Sequence, residues 1–210
     1  GGGAGHILAA VLARRHGLRG LLLDRPDVVR DERAVAPELR GALREGRASL
    51  QGADFFQPLP RAAGGAAVFM LKWILHDWSD AQCRAILRNL RAAIPPSGAA
   101  GDGAQGRARV LLIEEVLPED ADESEAARAA RRRHNDADMW VIFGGRERTV
   151  SEFSTLLRAE GFATCRVTPL DGFSMVAIEA EAVPAPLEAV RGRGDAEAVV
   201  QQEVLELCEA

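Results

Sequence analysis

The chain has 210 residues, of which 47% are hydrophobic and 27% charged, a balance that is ordinary for a soluble globular protein with a core of its own. The formal net charge of -5 at pH 7 argues against a surface that follows nucleic-acid phosphates, because such surfaces are normally basic. No signal-peptide pattern and no apolar stretch of about 20 residues occurs in the sequence, so we expect a cytoplasmic protein that neither crosses a membrane nor binds nucleic acid.

Two residue types bear on function through their number. The three cysteines, Cys83, Cys165 and Cys208, have neither metal-ligand spacing nor the arrangement of a disulfide framework, which agrees with a cytoplasmic location and predicts no metal site. Lys72 is the only lysine among 26 Lys and Arg residues. In a chain so biased towards arginine, a single lysine indicates a position that needs a compact ammonium on a flexible stem.

The chain opens on a glycine-rich loop. Gly1, Gly3 and Gly5 let the backbone turn tightly and approach a ligand, and apolar residues then recur at helical spacing. The N-terminus of such a helix offers free N–H groups to a carboxylate or a phosphate. The next apolar run, residues 20–24, predicts a strand that ends in Asp24. Since a strand should precede the loop, we expect the sequence to be truncated and its first strand to be missing.

The region after this strand is less regular. Residues 26–47 are rich in Arg, Glu and Ala, which favours a helix with poorly defined ends. A short strand is predicted over 48–52, and an acidic and aromatic cluster, Asp54, Phe55 and Phe56, follows it.

The run from Ala66 to Leu75 predicts a buried parallel strand, because only Lys72 interrupts its apolar residues and it is too short to span a membrane. His76 and Asp77 follow it into a loop, at the end of a strand where open α/β sheets place their chemistry. Residues 79–82 then have capping-box spacing and start a helix. The predicted buried face of that helix consists of Cys83, Ile86, Leu87 and Leu90.

The second half continues the alternation of strands and helices. Strands are predicted over 108–114, 163–168 and 173–180, and helices over 123–141 and from a second capping box at 149–152 to Gly161. This alternation predicts an α/β fold with a doubly wound sheet in one domain, residues 1–180. Residues 181–210 form a tail with the pattern of one amphipathic helix.

Residues 72–80, KWILHDWSD, closely resemble the signature of S-adenosylmethionine-dependent O-methyltransferases of the caffeate and hydroxyindole type. The resemblance covers about residues 1–180 and implies a Rossmann-like class I methyltransferase sheet, mostly parallel, with an antiparallel last strand and its first strand apparently missing. It also implies that an N-terminal helical domain, which builds the dimer and part of the substrate pocket in the family, is absent here. A homodimer is therefore expected for the full-length protein.

The resemblance assigns a cofactor site for S-adenosylmethionine. The loop fits the G-x-G-x-G of methyltransferases, which implies cofactor contacts from Gly1 and Gly3, and Asp24 matches the acid that accepts hydrogen bonds from the ribose hydroxyls. Residues 52–56, GADFF, resemble the family's G-G-D-F-F. Asp54 would then hold the adenine amine, Phe55 the ring face, and Lys72 would contact the cofactor beside them, whereas Phe56 is expected in the core. Arg25 and Ala53 depart from the family pattern and weaken the adenine assignment most.

The same resemblance places the catalytic base at His76. A phenol with a pKa near 10 faces a histidine near 6.5, so complete proton transfer before attack would cost roughly 5 kcal/mol. A carboxylate on the other imidazole nitrogen narrows this gap. Two acids match the family: Glu114, in IEEVLP, and Glu147, in GGRERT. Glu115 rivals Glu114, but strand alternation turns it to the opposite face. Glu147 has a simpler alternative role as a salt-bridge partner of a neighbouring arginine.

The acceptor pocket is less defined. Asp77 either contacts the substrate or caps the next helix, and both readings stay open. Met139 and Phe143 match family positions that line the pocket, with Trp140 beside them.

The predicted function is therefore O-methylation of a phenolic or similar hydroxyl of a small, hydroxylated aromatic molecule in secondary metabolism, with S-adenosylmethionine as methyl donor. Three alternatives remain. An enzyme on the same scaffold could perform hydroxylation or decarboxylation. The absent first strand motivates a non-catalytic remnant, and the spacing to Asp24 also suits a dinucleotide oxidoreductase.

Overall fold

The computed structural model describes residues 1–30, 34–62, 67–94, 108–117, 119, 145–170 and 175–183. The chain divides into two compact units, Gly1–Pro60 and Arg61–Ala210. No helix within the described ranges has the length and apolar character that crossing a membrane requires. The helix predicted over 123–141 and almost all of the C-terminal tail lie outside the described residues.

The first unit contains two helices and a parallel pair of strands: α1, His6–Arg14; β1, Gly20–Asp24; α2, Leu39–Arg44; and β2, Ala48–Gly52. The two strands are aligned from Gly20 opposite Ala48 to Asp24 opposite Gly52. Both predicted strands are thus confirmed. Their core is built from the apolar faces of the four elements and the connecting segment, namely Ala9, Leu12, Leu22, Val29, Val35, Leu39, Ala42 and Ala48.

The helix predicted over 26–47 is wrong over most of its length. Among the described residues of this stretch, 26–30 and 34–47, α2 is the one α-helix, and a turn in which the Val28 and Val29 N–H groups donate to the Arg25 carbonyl follows β1. Pro37 explains part of this result, because proline lacks the N–H that a continuous helix needs and its predecessor avoids helical backbone. The amino-acid composition favoured a helix without accounting for this interruption.

The second unit holds the remaining elements: β3, Val68–Lys72; α3, Asp80–Ala93; β4, Arg109–Leu117; β5, Arg148–Thr149; α4, Val150–Ala159; β6, Phe162–Pro169; and β7, Met175–Ala182. Four strands lie in the order β3-β4-β7-β6, and the two-residue β5 pairs with β4. The parallel pairs are β3 with β4 and β4 with β5, whereas β7 is antiparallel to both β4 and β6. A mostly parallel arrangement with a reversed last strand was the prediction, and it is confirmed.

Both predicted capping boxes are present. At α3 the Ser79 N–H and hydroxyl donate to Gln82 Oε1, and at α4 Thr149 and Glu152 exchange side-chain and backbone hydrogen bonds. The predicted apolar faces of both helices are buried: Cys83, Ile86, Leu87 and Leu90 on α3, and Phe153, Leu156 and Leu157 on α4.

Strand β3 ends earlier than the sequence predicts. It stops at Lys72, because Trp73 adopts a left-handed backbone conformation with φ of 53° that no strand can continue. The chain then forms one short 3-10 turn, Leu75–Asp77, called the His76 turn below. The fold thereby presents His76 on a tight turn directly before the N-terminus of α3.

Candidate active site

The His76 turn is held by few hydrogen bonds of its own. Asp77 N–H donates to the Ile74 carbonyl and Trp78 N–H to the Leu75 carbonyl, both at 3.2 Å. A single 3-10 turn is a weak local structure, so neighbouring elements must fix its orientation. The contacts from β4 and from residues 145–148 do so.

Glu114 anchors the entry to the turn from β4. Its carboxylate is fully buried, and Oε1 accepts hydrogen bonds from the Ile74 N–H at 3.1 Å and the Leu75 N–H at 2.9 Å. Alternation along β4 buries Glu114 on the same face as Val110 and Leu112, whereas Glu115 lies on the other face and is only partly buried. The prediction of Glu114 rather than Glu115 agrees with this geometry. The Glu114 side chain, however, binds the backbone of the turn and not the His76 imidazole.

The imidazole of His76 lies between two other carboxylates. Nδ1 is 3.7 Å from Glu147 Oε1, and Nε2 is 3.3 Å from Asp77 Oδ1. The His76 and Glu147 side chains are only 18% and 10% exposed, so solvent screens their attraction weakly. Asp77 does not cap α3, since Ser79 is the N-cap residue.

These surroundings favour the protonated imidazole. The pKa of His76 is raised above its ordinary 6.5, chiefly by the side-chain interaction with Glu147; burial opposes this effect, and the charges of Glu114 and Asp77 add to it. Burial raises the pKa of Glu114 to about 7, against the backbone hydrogen bonds and the His76 charge that lower it. His76 therefore gains proton affinity, which is the direction that accepting a proton from a phenol would require.

Residues 145–148 line the other side of the turn. Arg146 N–H donates to the His76 carbonyl at 2.9 Å. Gly145 packs so closely that a Cβ there would overlap the same carbonyl oxygen. Arg148 is fully buried and donates to the Leu75 and Trp78 carbonyls.

The arginines near Glu147 have another carboxylate as partner. Arg146 and Arg148 both pair with Asp80, at 2.9 and 2.8 Å, which disfavours the interpretation of Glu147 as their salt-bridge partner. Burial acts to raise the pKa of Asp80, but the hydrogen bonds from the two arginines outweigh it and hold that pKa below its ordinary value. Sequence reasoning did not identify Arg148 or Gly145 as contacts of the turn; their adjacency to Glu147 in one short motif was the available signal.

The predicted cofactor residues of the first unit form a loop-and-acid arrangement. Asp24 Oδ2 accepts from the Gly3 N–H, and Oδ1 accepts from the Arg25 N–H, both at 2.7 Å. The amino group of Gly1 donates to the Leu23 carbonyl and lies 3.8 Å from Asp24 Oδ2. Gly3 has a φ of 52°, and a Cβ there would meet no atom within 4 Å, so its backbone is open to a ligand.

The other predicted cofactor residues are partly accessible. Asp54 is exposed and its Oδ1 accepts from the Phe56 N–H at 2.9 Å, while the rings of Phe55 and Phe56 meet edge to face at 5.0 Å. In the second unit, Lys72 Nζ stands 3.5 Å above the Trp73 ring centroid. Met139, Trp140 and Phe143 lie outside the described residues.

In the second unit a histidine of raised pKa lies on a fixed turn, and it can accept a proton from a weakly acidic hydroxyl. In the first unit Asp24 lies beside an open glycine loop, and its carboxylate can accept hydrogen bonds from a diol, because each carboxylate oxygen keeps a free lone pair.

Similar proteins of known function identify the family of this chain. The model of a family described as the O-methyltransferase domain matches residues 1–163. The chain is 38% identical over 179 residues to O-demethylpuromycin-O-methyltransferase of Streptomyces alboniger, covering 84% of this chain and 43% of that protein. It is 36% identical over 177 residues to phenazine O-methyltransferase PhzM of Lysobacter antibioticus, covering 84% and 46% respectively. The chain thus spans less than half the length of these relatives.

Solved structures agree. Mitomycin 7-O-methyltransferase MmcR has a TM-score of 0.67 and 31% identity, over 87% of this chain and 47% of that one. The O-methyltransferase NcsB1 from neocarzinostatin biosynthesis, in complex with S-adenosylmethionine and 2-hydroxy-5-methyl naphthoic acid, has a TM-score of 0.63 and 30% identity, over 87% and 47%. These similarities confirm the class I methyltransferase fold. With the family model covering most of its length, the chain belongs to the O-methyltransferase domain family.

Proposed function

We propose that the protein transfers a methyl group from S-adenosylmethionine to a phenolic or similar hydroxyl of a small molecule, with His76 as general base. The observation that carries this proposal is the position of His76 on a turn that Glu114 anchors, with Nδ1 3.7 Å from the Glu147 carboxylate, an arrangement that raises the pKa of the imidazole. Deprotonation of a phenol needs a base that is held in place and whose pKa lies near the operating pH.

His76 is the residue that takes the substrate proton. Glu147 lies at Nδ1 and favours the tautomer that keeps its proton there, which leaves the Nε2 lone pair to accept the proton of the hydroxyl. The same carboxylate then stabilises the imidazolium. We assign Asp77 to a contact with the incoming hydroxyl group, which its position near Nε2 and its 38% exposure support.

The residues of the first unit fit S-adenosylmethionine. When bound, the cofactor supplies an electrophilic methyl group on a positively charged sulfur. Gly3 provides an open backbone, and Gly1 is assigned to the same loop. The Asp24 carboxylate, only 14% exposed and fixed by two N–H donors, can still accept both ribose hydroxyls. We assign Asp54 and Phe55 to the adenine and Lys72 to a further cofactor contact.

The class of substrate follows from the relatives. Their names concern puromycin, phenazine and mitomycin compounds, and the NcsB1 structure contains a hydroxylated naphthoic acid. A small hydroxylated aromatic compound of secondary metabolism is therefore the proposed acceptor, with Met139 and Phe143 as pocket residues. Homodimer formation, a cytoplasmic location and the absence of nucleic-acid or membrane partners stay predictions.

The proposal is tested with the protein as its gene encodes it. His76→Ala should retain S-adenosylmethionine binding by calorimetry while methylation of a panel of hydroxynaphthoic acids and phenols falls by about 10² to 10⁴, the usual contribution of a positioned base. His16→Ala is the matched control, because His16 is an exposed histidine outside the His76 turn. Unchanged turnover in His76→Ala would refute the base. Cofactor binding without methylation of any hydroxyl would favour another reaction on the same scaffold.

A further inference from the structure

Arg148 is a fully buried arginine whose hydrogen-bonding capacity is completely used. Nε and Nη2 donate to Asp80 Oδ1 at 3.0 and 2.8 Å, and the same Nη2 donates to the Trp78 carbonyl at 2.7 Å. Nη1 donates to the carbonyls of Leu75, at 2.9 Å, and Arg146, at 3.2 Å. The five N–H groups of a guanidinium thus have five acceptor contacts.

Two of these acceptors are backbone carbonyls on either side of His76 in the chain. Leu75 directly precedes His76, and Trp78 follows it by two residues. The Leu75 N–H donates to Glu114. The turn therefore has its N–H groups bound by a carboxylate of β4 and its carbonyls bound by the guanidinium of β5.

The position of Arg148 also couples the turn to the acid that faces the imidazole. Glu147 is the adjacent residue, so fixing the Arg148 side chain on the turn fixes the separation between the Glu147 carboxylate and His76 Nδ1. An arginine that only stabilised the core would need no contact with this turn. Here four of its five hydrogen bonds, one each to Leu75 and Trp78 and two to Asp80, end on the segment that carries His76 into α3.

We propose that Arg148 is a positioning residue for His76: by binding the Leu75 and Trp78 carbonyls it holds the imidazole against Glu147. Its effect on turnover rests on the proposed function, whereas its effect on the imidazole does not. Lysine cannot replace it, because an ammonium has three donors on a flexible stem and lacks the planar fork that spans both carbonyls.

The main test compares Arg148→Lys with Arg88→Lys. Arg88 also forms a forked pair with a buried carboxylate, donating to Glu160 from Nε and Nη2 at 3.0 Å, but it lies on α3 and is 63% exposed. Both variants lose an arginine fork and keep the charge. Only Arg148→Lys removes contacts with the His76 turn.

Kinetics should separate positioning from binding. We expect Arg148→Lys to lower kcat by about 10- to 100-fold, because a displacement of about 1 Å at a reacting group costs that order of rate. The Kd for S-adenosylmethionine should stay within about threefold of the wild-type value, and Arg88→Lys should keep wild-type kcat. A folded Arg148→Lys protein with wild-type kcat, or a kcat that falls only with the folded fraction, would contradict the proposal.

A second readout does not depend on turnover. In the wild-type protein, NMR titration of the His76 imidazole should show its raised pKa, and in Arg148→Lys the pKa should fall towards the ordinary value as the Glu147 contact loosens. An unchanged titration contradicts the positioning role. If His76→Ala proves fully active, the proposed base fails, yet this comparison still decides whether Arg148 orients the imidazole.

A milder variant covers the case in which Arg148→Lys fails to fold. Asp80 is 49% exposed and receives two of the guanidinium hydrogen bonds, so Asp80→Asn weakens the anchor while the carbonyls of Leu75, Trp78 and Arg146 still accept from Arg148. It should lower kcat by about two- to tenfold and lower the His76 pKa in the same direction. If both kcat and the His76 pKa stay at their wild-type values in Asp80→Asn, the proposal is overturned.

Discussion

Three carboxylates surround His76, and each acts on it differently. Glu147 faces Nδ1, Asp77 lies near Nε2, and Glu114 reaches the base through the peptide groups before it and through its charge. Of the three, Glu147 contributes most to the raised pKa of His76. Removing each carboxylate should therefore have a distinct signature.

Glu147→Gln should move the acid limb of the kcat profile to lower pH, because it removes the largest cause of the raised His76 pKa. His76 must be neutral to accept a proton, so the wild-type limb lies above the ordinary histidine value. At pH values above the limb, kcat should stay about tenfold below wild type, the equivalent of one hydrogen bond to a charged group at about 1.4 kcal/mol. Glu119→Gln, an exposed carboxylate, is the control. A limb that stays in place would contradict the assignment of Glu147.

Glu114 was predicted near the base from its motif, but its partners could not be predicted from the sequence. The alternation of β4 indicates only which face the side chain occupies. Its contacts with the Ile74 and Leu75 N–H groups depend on where β3 stops, and that is decided by Trp73. One carboxylate oxygen, Oε2, is buried without a hydrogen-bond partner among the described residues.

The buried Glu114 should make stability depend on pH. Its pKa rises from 4.5 in the unfolded chain to about 7 in the fold, so its contribution is fully present below pH 4.5 and is lost as pH rises through about 7. His76, also raised, contributes with the same sign at higher pH. The wild-type melting temperature should therefore fall from pH 5 to pH 8, and that of Glu114→Gln should fall less. Parallel curves for the two proteins would refute this assignment.

At the scale of elements, sequence patterns predicted a structure correctly where both hydrogen-bonding partners lie within a few residues of each other. The capping boxes at Ser79 and Thr149 are each completed within four residues, and both were predicted. The 3-10 turn was missed, because its geometry is set by distant groups, Glu114 and Arg148. The long helix over 26–47 was wrong for the opposite reason: composition was favourable, but proline interrupts the segment.

Gly145 is the element-scale test of how closely the β5 segment packs on the His76 turn. A Cβ on Gly145 would overlap the His76 carbonyl oxygen and the Asp77 backbone, so Gly145→Ala must push the turn away. We expect a destabilisation of about 1 to 3 kcal/mol and a lower kcat. Gly41→Ala is the control: in α2 a Cβ meets nothing within 4 Å, and stability should rise by about 0.5 to 1 kcal/mol. Equal behaviour of the two variants would disprove the close contact.

At the scale of the whole molecule, the alternation of strands and helices predicted the fold class, whereas the order of strands required the structure. Which strands pair depends on contacts between distant segments, such as β4 with β7, that no local pattern encodes. The single domain of residues 1–180 stays a prediction, since the described residues cluster in two units. Met139 and Phe143, the residues predicted to line the acceptor pocket, lie outside the described residues.

Cofactor binding should be visible as stability of the whole protein. A ligand that binds only the folded state stabilises it by about 2.7 kcal/mol at 100 times its Kd, so S-adenosylmethionine should raise the wild-type melting temperature. Asp24→Asn should lose most of this shift, because an amide oxygen alone cannot hold the Gly3 and Arg25 N–H groups and also accept two hydroxyls. Asp27→Asn should keep it, since Asp27 is 54% exposed and pairs only with the exposed Arg25 side chain in the described structure. An equal shift in Asp24→Asn and the wild-type protein would exclude Asp24 from the cofactor site.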